Sequence, residues 1–198
     1  TTWDCVYFGR YKQSSDGKGG FKTEPIKWRV LNVNGDEALL LSDKNIDGGI
    51  RYNEIETDIT WKDCTVRSWL NGTSDGNFMN KAFTPQERNA IADKTIANTD
   101  NPVYGTPGGE DTTDKVFLLS YEEVTNPDYG FEDNKDYSGD GEYMGCGASK
   151  TREAADTAYT ASKSESMYVE GDAESWNLRS PGHLSYYCGV VAYDGSFG

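Results

Sequence analysis

The stretch from Trp61 to Asn71, W-K-D-C-T-V-R-S-W-L-N, constrains the fold more than any other part of this chain. It sets two tryptophans, Val66 and Leu70 into one short, turn-bounded segment of an otherwise polar sequence. Thr60 stands where a helix cap belongs, Asp63 occupies the third position of a capping box, and Gly72 follows just past the end. The spacing therefore predicts a helix over 61–71 that leaves through a left-handed glycine. Trp61, Thr65 and Trp69 recur every four residues with Val66 and Leu70 alongside, giving one broad apolar stripe that other segments must cover. A buried tryptophan removes about 200 Å² from water, on the order of 5 kcal/mol at ~25 cal/mol per Å². Loss of either ring is expected to harm folding before any activity.

The 198 residues suffice for one domain with a sizeable core, and residues 1–198 read as a single domain. Only 35% of them are hydrophobic, but 13 tyrosines, 7 phenylalanines and 5 tryptophans bury as much area as many small aliphatics would. A net charge of -14 repels phosphate backbones and anionic head groups, which excludes nucleic acid as a partner and argues against membrane insertion. Cations, neutral polar molecules or a basic protein surface are the favoured partners. No apolar run reaches the ~18 residues of a membrane span, and no signal peptide precedes Thr1, so the chain reads as a mature or excised soluble piece. Cys5, Cys64, Cys146 and Cys188 lie far apart in spacings unsuited to zinc. Either they form two disulfides, with a Cys5–Cys188 link between the chain ends as the first choice, or they are buried thiols.

Residues 3–11 read as an opening strand interrupted at Gly9. Ile26–Val33 and Ala38–Ser42 flank Asn34-Gly35 and predict a hairpin with a primed turn. Phe78 and Phe83 bracket a short turn, and Thr84-Pro85-Gln86-Glu87 specifies a helix start with proline at its first position and a capping box. A short strand is expected near 95–98 and a buried one over Asp114–Ser120. Ser120 and Glu123 then cap a brief helix that ends before Pro127. From about 125 to 175 the chain is a long excursion rich in Gly, Ser, Asp, Glu and Tyr, the composition of a functional or a disordered loop. A second hairpin turn is expected at Asp194-Gly195.

Four segments in order, W-R-V-L from Trp28 with A-L-L-L-S from Ala38, W-K-D-C-T-V-R-S-W-L-N from Trp61, D-K-V-F-L-L-S from Asp114 and W-N-L-R-S-P-G from Trp176, resemble an uncharacterised domain family. That family occurs in surface and secreted proteins of Gram-positive gut anaerobes, and the resemblance covers roughly residues 5–197. It implies an α+β, C-type lectin-like fold: small twisted antiparallel sheets, two flanking helices and a long irregular loop region. It also implies an extracellular, secreted or cell-surface setting. The chain departs from the family pattern at Cys64, where a small residue is usual, and at Asn177, where a second aromatic is common. It also stops at Gly198 without the closing G-V-R-P strand that the family commonly carries.

The resemblance supplies no activity, so chemistry rests on the residues. His183 could pair with Cys64 or Cys188 as a nucleophile, but no spacing supports it. With 33 acidic residues some carboxylate pair is inevitable, so abundance marks no glycosidase site. The formylglycine-generating enzymes share the lectin-like architecture, yet their cysteine pair is not recognisable here. Asp136-Tyr137-Ser138-Gly139-Asp140-Gly141 reproduces the first half of a calcium loop, with Asp136, Ser138, Asp140 and Glu142 as candidate ligands. Gly147 stands where the bidentate glutamate of an EF-hand belongs, so calcium would need a looser site, and a solvated acidic loop is the plainer reading. For carbohydrate, aromatic faces near carboxylates and amides are the usual recognition chemistry. Tyr104, Tyr129, Tyr137, Tyr143, His183, Tyr186 and Tyr187 are the candidate ligand contacts. The reading that follows is a non-catalytic module recognising a glycan or host glycoprotein. A protein-interaction or spacer module on the same fold is the alternative, and a hydrolase comes third.

Overall fold

The computed structural model describes residues 2–136, 145–163 and 172–197. The architecture is mixed α and β, with small, mostly antiparallel sheets and four short helices among the described residues. β1 (Cys5–Ser15) pairs antiparallel with β2 (Phe21–Asn34), and β2 pairs on its other side with β3 (Glu37–Ser42), so β3 forms one edge of this sheet. Gly9, at φ 67°, lies in the irregularity between Tyr7 and Arg10, where the Phe83 ring leaves no room for a side chain. The β2–β3 hairpin has the expected place and a primed turn, with the turn centred one residue later than Asn34-Gly35. Asn34 still pairs with Glu37, and Gly35 has φ 60° and no other residue of the loop has positive φ. The turn is Gly35-Asp36, in the glycine-first pattern of type II′.

After the two-residue strand β4 (Lys44–Asn45), the helix expected over 61–71 divides. Trp61–Asp63 is a single 3-10 turn, Cys64 is extended, and α1 spans Thr65–Asn71. Thr60 and Asp63 form no capping box. The cap comes from the preceding loop instead: Asn53 Oδ1 accepts the Thr65 amide at 3.2 Å, and the Tyr52 carbonyl accepts the Val66 amide at 3.1 Å. Gly72 leaves in an extended conformation rather than a left-handed one. A helix, α2 (Phe78–Ala82), replaces the turn expected between the two phenylalanines, and α3 (Pro85–Ala90) opens on the Thr84–Glu87 capping box.

β5 (Lys94–Ile96) pairs antiparallel with β6 (Thr112–Asp114), which ends where the strand expected over 114–120 begins, and 115–120 is not a strand. Side chains take the place of a neighbouring strand beyond it. Asn71 Oδ1 accepts the amides of Lys115 and Val116, its Nδ2 donates to the Val116 carbonyl, and Arg179 donates to the Leu118 carbonyl. Ser120 and Glu123 exchange both bonds of a capping box around a 3-10 turn at Glu123–Thr125, as expected.

The excursion carries more regular structure than its composition suggests. It includes β7 (Lys135–Asp136) antiparallel to β8 (Gly145–Cys146), β9 (Ala155–Asp156) parallel to β4, and α4 (Ala158–Ala161). β10 (Trp176–Pro181) and β11 (Cys188–Val191) close the described chain as an antiparallel pair, with the expected turn at Asp194-Gly195.

Two apolar clusters form the interior. The first gathers Trp61, Cys64, Val66 and Leu70 with Phe78, Phe83, Tyr11 and Ile26. The second gathers Leu31, Leu119, Tyr121, Leu178, Val191 and Phe197. No disulfide joins any two of the four cysteines, so the Cys5–Cys188 link is absent. The N-terminal end is tied down instead by Trp3, whose indole donates to the Tyr129 carbonyl at 2.8 Å.

Candidate functional site

Three loops meet outside the second cluster. The first is the segment around Asp58, the second is residues 101–106, and the third is residues 182–187 between β10 and β11. The third is a tight turn, closed by bonds from the Gly182 amide to the Tyr187 carbonyl at 2.7 Å and from the Tyr187 amide to the Leu184 carbonyl at 3.0 Å. Asn101, 2% exposed, binds two of the loops together. Its Nδ2 donates to the Pro181 carbonyl at 2.9 Å, while its Oδ1 accepts the amides of Val103 and Tyr104 at 2.9 and 3.0 Å. Thr106 adds a bond to the His183 carbonyl, and the Asp58 loop joins through the Ile59 amide on the Ser185 carbonyl and the Ser185 hydroxyl on Asp58.

This scaffold brings four of the sequence-named ligand candidates into one row of rings. The Tyr104 and His183 centroids are 6.0 Å apart, His183 and Tyr187 5.3 Å, and Tyr187 and Tyr186 4.6 Å. His183 and Tyr187 are exposed, Tyr104 and Tyr186 half-buried, and Leu184 adds an exposed apolar group beside them. The Tyr104 hydroxyl is buried and lacks a hydrogen-bond partner among the described residues. Burial raises the Tyr186 phenol above its ordinary pKa, helped by Tyr187 and by the negative charge of Glu56 and Asp58. Asp58 is fixed beside the ring row by its bond from the Ser185 hydroxyl. Exposed ring faces next to acceptors and donors form a surface that can stack on an apolar C–H face and hydrogen-bond its hydroxyls.

Other candidates lie elsewhere. Tyr129 makes no ring contact with these four; it packs against the second cluster and accepts the Trp3 indole on its carbonyl. Tyr137, Tyr143, Ser138, Asp140 and Glu142 fall outside the described residues, as does the side chain of Asp136, so most of the proposed calcium loop does too. Among the described residues no group of three or more His, Cys, Asp or Glu is placed to hold a metal. A cysteine–histidine nucleophile finds no footing among them: burial pushes the Cys64 thiol up to about 11 and the Cys188 thiol up to about 12, and no hydrogen bond joins His183 to either.

Sequence reasoning missed the residues that assemble the ring row, namely Asn101, Asp58 and Ser185. Asn101-Pro102 is a turn dipeptide, a signal that marks the loop but not its partner. A family model described as domain of unknown function (DUF6273) matches residues 36–198. No curated protein and no solved structure shows a significant match to the chain.

Proposed function

The chain belongs to the DUF6273 family, and we propose that it is a non-catalytic recognition module that binds carbohydrate, free or on a host glycoprotein, through the ring row of Tyr104, His183, Tyr187 and Tyr186. The reading includes a C-type lectin-like arrangement and a place in a bacterial surface or secreted protein. The observation that carries it is the convergence of these four rings on one polar-rimmed surface, 6.0 Å or less from ring to ring. A sugar ring stacked on His183 or Tyr187 would cover an exposed aromatic face, and its hydroxyls would meet Asp58. Calcium, if it takes part, would come from the Asp136 loop, and it is a separate element of the proposal. A protein-binding paratope is the second reading, favoured by the exposed Leu184 and by the suitability of tyrosine for protein contacts.

The test is binding of the protein to a broad glycan and mucin array, with calcium and again with chelator. Selective signal lost with chelator supports a calcium-bridged lectin, and chelator-resistant signal supports sugar binding by the rings alone. No signal in either buffer overturns the carbohydrate assignment and leaves the protein-binding one.

A further inference from the structure

A second surface lies along β3, separate from the ring row. An open groove of about 910 Å³ runs beside this edge, walled on one side by Ala38–Ser42 and on the other by Lys115–Leu119. Its apolar lining includes Trp28, Leu39, Leu41, Trp69, Phe117 and Trp176. The walls carry backbone groups in want of partners. Among the described residues β3 pairs with β2 alone, so the amides and carbonyls that point away from β2 face the groove. Across from them the amides of Phe117, Leu118 and Leu119 and the Phe117 carbonyl have no hydrogen-bond partner among the described residues.

The charges of the lining point to one kind of occupant. Three of its cations are already engaged: Arg29 by Asp43 at 2.9 Å, Lys115 by the Ile91 carbonyl, and Arg152 by carbonyls and Asn134. Asp47, Asp93 and Glu123 have their own ion-pair partners in Lys163, Lys115 and Arg179. Asp156 is 5% exposed and is held by the Asn45 side-chain amide at 2.9 Å. That leaves Asp36, Glu37 and Glu174 without a cation among the described residues, against Lys94 alone. We infer that this groove is a docking slot for an extended segment of a partner protein, which adds a strand to β3 and carries apolar side chains alternating with lysine or arginine. Backbone bonds to β3 and to the facing wall hold the segment, its apolar side chains fill the floor, and its cations meet Asp36, Glu37 and Glu174. The six residues of β3 set its length at about 20 Å, given ~3.3 Å per residue. A second copy of this chain fits less well, because its own β3 arrives with β2 behind it, while the slot is walled on both sides.

The test uses a pool of acetylated peptides of about seven residues, with Val, Leu or Phe at alternate positions and Lys or Arg between. Controls are the same sequences with Glu in place of the cations, and with alternate amides N-methylated so that one edge cannot pair. Binding is read by tryptophan fluorescence, since Trp28, Trp69 and Trp176 line the groove, and is then mapped by amide hydrogen exchange. A best binder at a hundred times its Kd is expected to slow exchange at β3 and at Phe117–Leu119 by up to about a hundredfold, whereas both controls lose the effect. The inference is overturned if no basic peptide protects those amides, or if the glutamate or N-methylated peptides protect them equally. Protection that grows with protein concentration in the absence of peptide overturns it as well, in favour of self-association. The ring row is not involved in this readout, so failure here leaves the carbohydrate reading standing.

Discussion

The two apolar clusters are about the same size but are held by different forces. Around Trp61, rings meet rings: Phe8, Tyr11, Trp69 and Phe83 all contact their neighbours at centroid distances of 5.3–5.7 Å, most of them through Phe78. Around Leu178, the chain ends and several loops arrive without long elements, and two buried arginines tie them together. Arg152, 1% exposed, donates to the carbonyls of Gly195, Val124, Glu132 and Gly147 and to Asn134 Oδ1, with no carboxylate partner among the described residues. Arg179 donates to the carbonyls of Leu118 and Ala97 and pairs with Glu123. Burial lowers the pKa of the Arg152 guanidinium, yet a guanidinium remains charged in this setting, so its fork of donors is what satisfies the loop backbone. A polar sequence with few aliphatics can thus close a second core by giving backbone carbonyls a shared donor.

The sharpest way to break this contrast is Arg152→Met, which fills the volume and removes the donors. It is expected to cost about 3–5 kcal/mol, because several buried carbonyls lose their donor at once. Arg152→Lys should recover little of this, since an ammonium lacks the planar fork. Urea unfolding measures both, and a loss below ~1 kcal/mol for Arg152→Met would show that the loops hold without the guanidinium.

Next comes Trp61→Ala, expected to cost about 3–4 kcal/mol. The indole fills the first cluster and donates to Asp114 Oδ2 at 3.0 Å; Arg67 and Thr112 hold the rest of that buried carboxylate. The two substitutions touch different clusters, and their effects should add in the double variant to within ~0.5 kcal/mol.

Asn101→Ala should cost about 2 kcal/mol through the orphaned Pro181 carbonyl and the amides of Val103 and Tyr104. Its larger effect is expected on the ring row, because Tyr104 and His183 lose their common support. Hydrogen exchange is expected to quicken at 101–106 and 182–187 while the Trp61 cluster keeps its protection.

The smallest effect is a pH dependence. Burial pushes the Asp43 carboxyl up, but hydrogen bonds and charge from Arg29 and Lys27 outweigh it and hold the pKa below the ordinary carboxylate value. The folded form therefore binds a proton less readily than the unfolded chain. The stabilisation is complete above the ordinary carboxylate range and is lost as pH falls through the depressed value. Asp43→Asn should flatten the acid limb of a stability–pH curve and leave its neutral plateau lower. An unchanged acid limb would remove Asp43 from the account of acid sensitivity.

What could be read from the sequence follows the same division. The Thr84–Glu87 and Ser120–Glu123 caps and the β2–β3 hairpin depend on residues within a few positions of one another, and all three are found. The continuous helix over 61–71 and the strand over 114–120 were misread because their backbone partners are side chains far away in sequence. Asn53 caps α1 across twelve residues, and Asn71 satisfies Lys115 and Val116 across more than forty. The candidate site shows the same limit. Its tyrosines stand out by composition, but their meeting depends on Asn101 reaching the Pro181 carbonyl across eighty residues, which no local pattern reveals. Tyr129 shares the composition, but its long-range tie is to Trp3 and not to the ring row.

The most direct measurement of the recognition surface compares the protein with Tyr187→Ala on the strongest array ligand, by calorimetry at equal melting temperature. Tyr187 is 48% exposed, so its removal should leave the fold intact. Affinity is expected to fall about tenfold or more, equivalent to ~1.4 kcal/mol, with a further fall when Tyr104 is also replaced. Affinity unchanged in both variants would contradict the assignment of binding to this row of rings.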